Sequence, residues 1–125
     1  MAKSVLNDVL DAMLDEIALG TELNVCSTEP TTRTEAVTTY SLADVVLTAG
    51  DGGGDYTIAD GDTSGRKVTV AQQATITVDT SGTALHIALT DATRLLYVTT
   101  CTSQALTAPN TVTVPAWDIE VADPT

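Results

Sequence analysis

Four aspartates in one glycine-rich stretch come closest to a chemical site in this sequence. Asp51, Asp55, Asp60 and Asp62 lie in GDGGGDYTIADGDTSG, residues 50–65, and with glycine-freed carbonyls they offer the hard oxygens that calcium takes. Their spacing fits neither an EF-hand loop nor a repeated glycine-aspartate β-roll. The stretch reads as a solvated, exposed excursion, and no metal is assigned to it. His86 is the single histidine. A nucleophilic triad would need a Ser or Cys in an elbow-like setting beside it, and no Gly-x-Ser-x-Gly occurs. Gly52, Gly53 and Gly54 precede Asp55-Tyr56 rather than a Lys-Ser/Thr pair and a helix, which removes a phosphate loop. The acids could supply the carboxylate pair of a glycoside hydrolase, but one Trp, three Tyr and no Phe leave little to line a sugar cleft. The chain reads as a non-enzyme with no catalytic residue and no cofactor.

Cys26 and Cys101 are too few and too far apart in sequence for a disulfide framework or a zinc finger. They read as small buried hydrophobes, with a late bridge in an oxidising medium left open. Among the few cations of the β region, Arg66, Lys67 and Arg94 each flank an expected strand. They fit two readings, protection of an exposed edge or pairing with acids of a neighbouring copy.

Charge narrows the partners. Five basic against seventeen acidic residues give a net charge of −12, which repels phosphate backbones and anionic membranes, so neither nucleic acid nor a membrane is expected. No apolar run approaches the roughly 18 residues that span a bilayer, and the opening MAKSVLNDVLDAML carries acids where a signal peptide is apolar. Synthesis in a cytoplasm is the expectation. At 125 residues the chain fits one domain, 1–125, with an aliphatic core.

The elements that must hold these residues are legible as periods. Val5, Leu6, Val9, Leu10, Met13, Leu14 and Ile17 recur at helical spacing, so 4–19 is expected as one amphipathic helix, capped by Ser4 and ended by Gly20. Its stripe must bury itself on its own domain or on a neighbouring subunit, which makes Val5, Val9 and Met13 interface candidates. A β domain over 22–122 follows, with strands expected at 22–27, 40–47, 56–59, 67–71, 74–79, 83–90, 94–102, 111–114 and 117–121 and a frayed tail at 123–125. Pro115 divides the last two. In 83–90, Leu85, Ile87 and Leu89 alternate with Ala84, His86 and Ala88, and the second set is expected on the wet face. About 7–9 short antiparallel strands behind one N-terminal amphipathic helix define a mainly β protein, a sandwich or a barrel.

The strings GRKVTVAQQ at 65–73 and SGTALHIALTDATRLLYVTTCTSQALTAPNTVTVPAWDIEVADP at 81–124, with NVCSTEPTTRTEA at 24–36, resemble a family of small structural proteins of tailed bacteriophages. The likeness covers nearly the whole chain and is weakest across 50–65. It implies a virion protein without catalytic residues. One placement is a capsid decoration or cement protein on the outer capsid surface, a homotrimer contacting the major capsid protein and copies of itself. The alternatives are a tail or fibre-associated structural protein and, from a different class, a non-viral β-sandwich binding module. Under the cement reading the contacts fall on the helix stripe (Val5, Val9, Met13), on His86, Arg66 and Arg94, on the acidic surface and on 115–117, with Trp117 weighted toward the core.

Overall fold

A computed structural model describes residues 5–123. Over these described residues the protein is mainly β, with one short helix ahead of nine strands in antiparallel sheets and no closed barrel. Its elements are α1 (Asn7–Ile17), β1 (Glu22–Cys26), a π-helical turn (Glu35–Thr39), β2 (Ser41–Val46), β3 (Tyr56–Asp60), β4 (Arg66–Val70), β5 (Gln73–Thr77), β6 (Gly82–Thr90), β7 (Leu95–Leu106), β8 (Thr111–Val114) and β9 (Trp117–Val121). The chain folds as two compact units, each drawn from separated stretches. One takes the chain up to Leu19, Thr48–Gln72 and the chain from Pro115 onward, and the other takes Gly20–Leu47 and Gln73–Val114.

In the first unit β4 is the central strand of the sheet β3-β4-β9. Cross-strand register puts Tyr56 and Trp117 beside Val70, and Ile58 and Ile119 beside Val68, so one face is apolar. Thr57, Thr69 and Asp118, with Ala59, Lys67 and Glu120, make the other face largely polar. Helix α1 packs against β4 and buries Leu10, Leu14 and Ala18, spaced four apart along one edge of its stripe. The opposite edge stays out, with Leu6 74%, Val9 57% and Met13 51% exposed. The helix opens at Leu6, whose carbonyl accepts from the N–H of Val9 (3.0 Å) and Leu10 (3.4 Å); the expected cap, Ser4, lies outside the described residues, as do 124–125 of the expected tail. Gly65 turns β3 into β4 at φ +69°, with its Cα against the Val121 carbonyl, where any side chain would collide.

The second unit is the sheet β2-β1-β6-β7 with a separate β5-β8 pair. Leu23 and Val25 of β1 pair with Leu89 and Ile87 of β6, giving one apolar face. The opposite face is covered as well. There Cys26 and Ala88 pack with Ala36 of the π-helical turn, and Tyr40, Leu95 and Val98 close around them. The expectation of a wet face carrying Ala84, His86 and Ala88 is therefore corrected: Ala84 and Ala88 are buried, His86 is half-buried, and Leu85, expected inward, is 40% exposed. Two causes act together. Small alanines let the helical turn approach, and pairing with β7 slips where Ala84↔Gln104 gives way to His86↔Thr100, so Leu85 sits beside an irregular stretch.

The π-helical turn was not expected between 30 and 40. It is set by Thr32-x-x-Glu35: the Glu35 N–H donates to Thr32 Oγ1 (3.1 Å), while the Glu35 carboxylate accepts from the Thr31 N–H and hydroxyl (2.8 Å each). These bonds amount to a capping box displaced by one residue. They hold the Glu35 carboxyl below its ordinary range, the Thr31 N–H contributing most.

Candidate functional site

The acidic loop is built from bonds to its own backbone. Asp55 Oδ2 accepts from the Thr48 N–H (2.6 Å) and Asp51 Oδ1 from the Ile58 N–H (2.9 Å), so the two carboxylates tie the first half of the excursion to β3 and its approach. Each carboxylate closes the loop by accepting a backbone N–H seven residues away in sequence. Asp60 and Asp62 meet cations instead. Arg66 reaches Asp60 through Nη1 (2.7 Å), and Lys67 Nζ reaches Asp62 (2.7 Å).

Adjacent residues on a strand point to opposite faces, so Arg66 and Lys67 serve different partners. Arg66 lies on the helix side and grips Asp11 of α1 with two nitrogens, Nε to Oδ1 (2.7 Å) and Nη2 to Oδ2 (3.3 Å). Lys67 lies on the polar side and also reaches Asp118 (3.4 Å), which accepts from the Thr69 hydroxyl (2.7 Å). Hydrogen bonds donated to Asp11 and Asp60 raise the pKa of Arg66, and the bond donated to Asp62 leads the causes that raise that of Lys67. Both cations sit on a central strand, so neither guards an edge. Their acids come from their own chain. The same is true of Arg94: Asp91 accepts from the N–H groups of Thr93 (2.8 Å) and Arg94 (2.6 Å) and binds the Arg94 guanidinium (2.8 Å). That cage, led by the Thr93 N–H, lowers the Asp91 carboxyl.

A second acidic group was not visible in the sequence. Asp44 on β2 lies directly opposite Asn24 on β1, and Glu22 is two residues along on the same face. Beyond β2, Ala43 bridges to Val78, and the N–H groups of Asp79 (2.8 Å) and Thr80 (3.1 Å) donate to the Leu42 carbonyl. Glu22, Asp44 and Asp79 thus form a diagonal row across three neighbouring backbones. Asp44 is exposed, yet partial desolvation, followed by a side-chain hydrogen bond to Asp79 and the charge of Glu22, pushes its carboxyl up to about 6. Asn24 itself is fully buried, its amide nitrogen donating to Thr90 Oγ1 (3.3 Å). Only strand register places these residues together, because 22, 44 and 79 share no local pattern.

His86 sits between Cys26 on β1 and Thr100 on β7, half-buried in the middle of the sheet. Cys26 donates to the Ala36 carbonyl (3.5 Å), and burial, with Cys101 adding to it, pushes its thiol up to about 11. Both thiols are free. β6 runs between their strands, and two inter-strand spacings of about 4.8 Å exceed the roughly 7 Å that a disulfide spans. A bridge would require β6 to leave the sheet. Val5 is half-buried, whereas Val9 and Met13 are exposed. Among the described residues no three His, Cys, Asp or Glu side chains converge as a metal would require.

The fold and these bonds define a mainly antiparallel β protein in which carboxylates organise turns and pair cations. Comparison of the chain with protein-family models, with curated proteins and with solved structures found no match.

Proposed function

We propose that this chain is a structural protein of a tailed-bacteriophage virion, and that it decorates the capsid, reinforcing contacts between major capsid subunits. One observation carries the reading: side chains capable of chemistry are spent on the protein's own frame, while apolar helix surface is left facing outward. Asp51, Asp55, Asp60, Asp62 and Asp91 are each bonded within the chain, and Leu6, Val9 and Met13 stand exposed on an acidic body. This is the distribution of a building block, which works by contact and gains through repetition. The likeness to phage proteins runs along the same frame. Its closing order of strand, turn, strand, turn and Pro-Ala-Trp-Asp is laid down as β6, β7, β8 and β9. Partners under this reading are the major capsid protein and further copies of the chain.

Quantitative mass spectrometry of purified particles of the encoding phage tests it. Hundreds of copies per particle fit a capsid component, and a number nearer ten fits the alternative placement on the tail. Absence from the particle would sink both placements and leave the free binding module.

A further inference from the structure

Asn24 is fully buried, and its amide is only half used. The nitrogen donates to Thr90 Oγ1 (3.3 Å), whereas Oδ1 has no hydrogen-bond partner. A desolvated acceptor left in this state costs stability until something supplies the missing contact, so it marks a place built to receive a group. Its nearest polar neighbour does not supply it. Cys26, two residues along on the same face, gives its thiol proton to the Ala36 carbonyl (3.5 Å).

Strand register fixes the direction in which the oxygen looks. Thr90 lies on β6, opposite Glu22, so the bond to it draws the amide nitrogen toward β6. The two atoms of a planar amide leave Cγ on opposite sides of the Cβ–Cγ bond, which turns Oδ1 toward β2. Asp44 stands there, directly across from Asn24. One backbone farther on, Ala43 bridges to Val78, which brings Asp79 level with Leu42 and diagonal to Asp44. The carboxyl groups of Asp44 and Asp79 are within hydrogen-bonding reach of each other, and both residues are exposed. Arg66, Lys67 and Arg94 pair with other acids, and no ion pair among the described residues reaches Asp44 or Asp79.

We propose that Asp44, Asp79 and the Asn24 amide oxygen form a calcium site, with the two carboxylates at its mouth and the amide oxygen as its floor. Calcium takes carboxylate, amide and water oxygens in an irregular shell of roughly six to eight, whereas magnesium demands near-octahedral geometry and sheds its waters reluctantly, which disfavours a buried amide ligand. Water completes the shell, because two carboxylates and one amide meet here while three acidic side chains do not. Glu22 adds its charge without ligating. Entry requires only that the two exposed carboxyl groups part. With two charged ligands and a solvent-facing mouth the site belongs among the weak ones, with Kd about 10⁻⁴ to 10⁻³ M. It rests on side-chain geometry and holds wherever the chain sits in a particle.

Thermal melts of the full chain at constant ionic strength, with and without about 10 mM calcium chloride, test the site. The melting temperature is expected to rise by at least about 5 °C, as a roughly ten- to hundredfold excess over Kd implies for a chain of this size. Magnesium at the same concentration should give less than half of that rise. Asp44→Asn and Asp79→Asn, both at exposed positions, should each remove most of the response, and Asp8→Asn on α1 should keep it. In a calcium titration followed by proton–nitrogen NMR, the Asn24 side-chain amide should shift with the same midpoint as the backbone amides of 42–46 and 79–80. A melting temperature that calcium leaves unchanged overturns the proposal, as does a rise that magnesium matches or that both aspartate substitutions leave intact. An Asn24 side-chain signal that stays in place throughout the titration removes the amide oxygen from the site and overturns it equally.

Discussion

Asp44 is expected to give the fold a pH dependence whose sign is opposite to the usual one for a carboxylate. In the folded chain its carboxyl, though exposed, is raised from 3.8 to about 6 by partial desolvation, Asp79 and Glu22. Between those values the folded state keeps a proton that the unfolded chain has released, so this group's contribution is full below 3.8 and is lost as pH rises through about 6. Glu35 and Asp91 act the other way, being lowered, and their contributions fade only in more acidic solution. The melting temperature is therefore expected to fall from pH 4 toward pH 6.5 and then level off, whereas Asp44→Asn should flatten that limb and melt higher at neutral pH. Parallel wild-type and Asp44→Asn curves would contradict the shared proton. None of this was legible in the sequence, where Glu22, Asp44 and Asp79 are three of seventeen acids. The register β1-β2 and the bridge Ala43↔Val78 create the row. The loop aspartates were legible as a group but not in their role, because nothing local says that Asp55 will take the N–H of Thr48 and Asp51 that of Ile58.

Elements with one covered face were read from period alone. β4, β8 and β9 alternate cleanly in sequence and in burial, and the helix follows its 3.6-residue stripe. The burial of β6 departs from its alternation because Ala88 is small enough for the π-helical turn to cover it. Alternation marks which residues share a face, not what lies on that face. The turn itself had a signal, Thr32 three residues before Glu35, that the nearby threonines obscured. The helix stripe, expected to bury as a whole, is split lengthwise, and adjacent residues should report the split. Leu14 is fully buried, so Leu14→Ala should cost about 3 kcal/mol of unfolding free energy. Met13→Ala, in dilute protein where copies do not meet, should change it by less than about 0.5 kcal/mol. Urea unfolding at low micromolar concentration measures both. Equal losses would mean that the outward edge of α1 is held by something within the chain.

At the scale of the whole molecule, charge and chain path set the terms. The two compact units exchange chain near residues 19, 47, 72 and 114. Gly20, the glycine-rich stretch from 50 and Pro115 lie beside three of these points, but each reads equally well as the end of a single element. Discontinuous units leave no linker for a sequence to display, and only contacts reveal them. Net charge, by contrast, is read directly, and its consequence can be worked out. Salt weakens ion pairs such as Arg66 with Asp60 and Lys67 with Asp62, which on its own would lower stability. It also screens repulsion among acids that outnumber cations by seventeen to five, so most carboxylates have no cation to lose. Exposed pairs contribute little each, whereas the surplus charge repels across the entire surface, and the second effect should prevail. Raising sodium chloride from about 20 mM to about 500 mM at pH 7 is therefore expected to raise the melting temperature, most steeply below about 150 mM, where the screening length is changing fastest. A fall over that range would show that the pairs around Arg66 and Lys67 outweigh the surplus, and Arg66→Met would then remove most of the salt response.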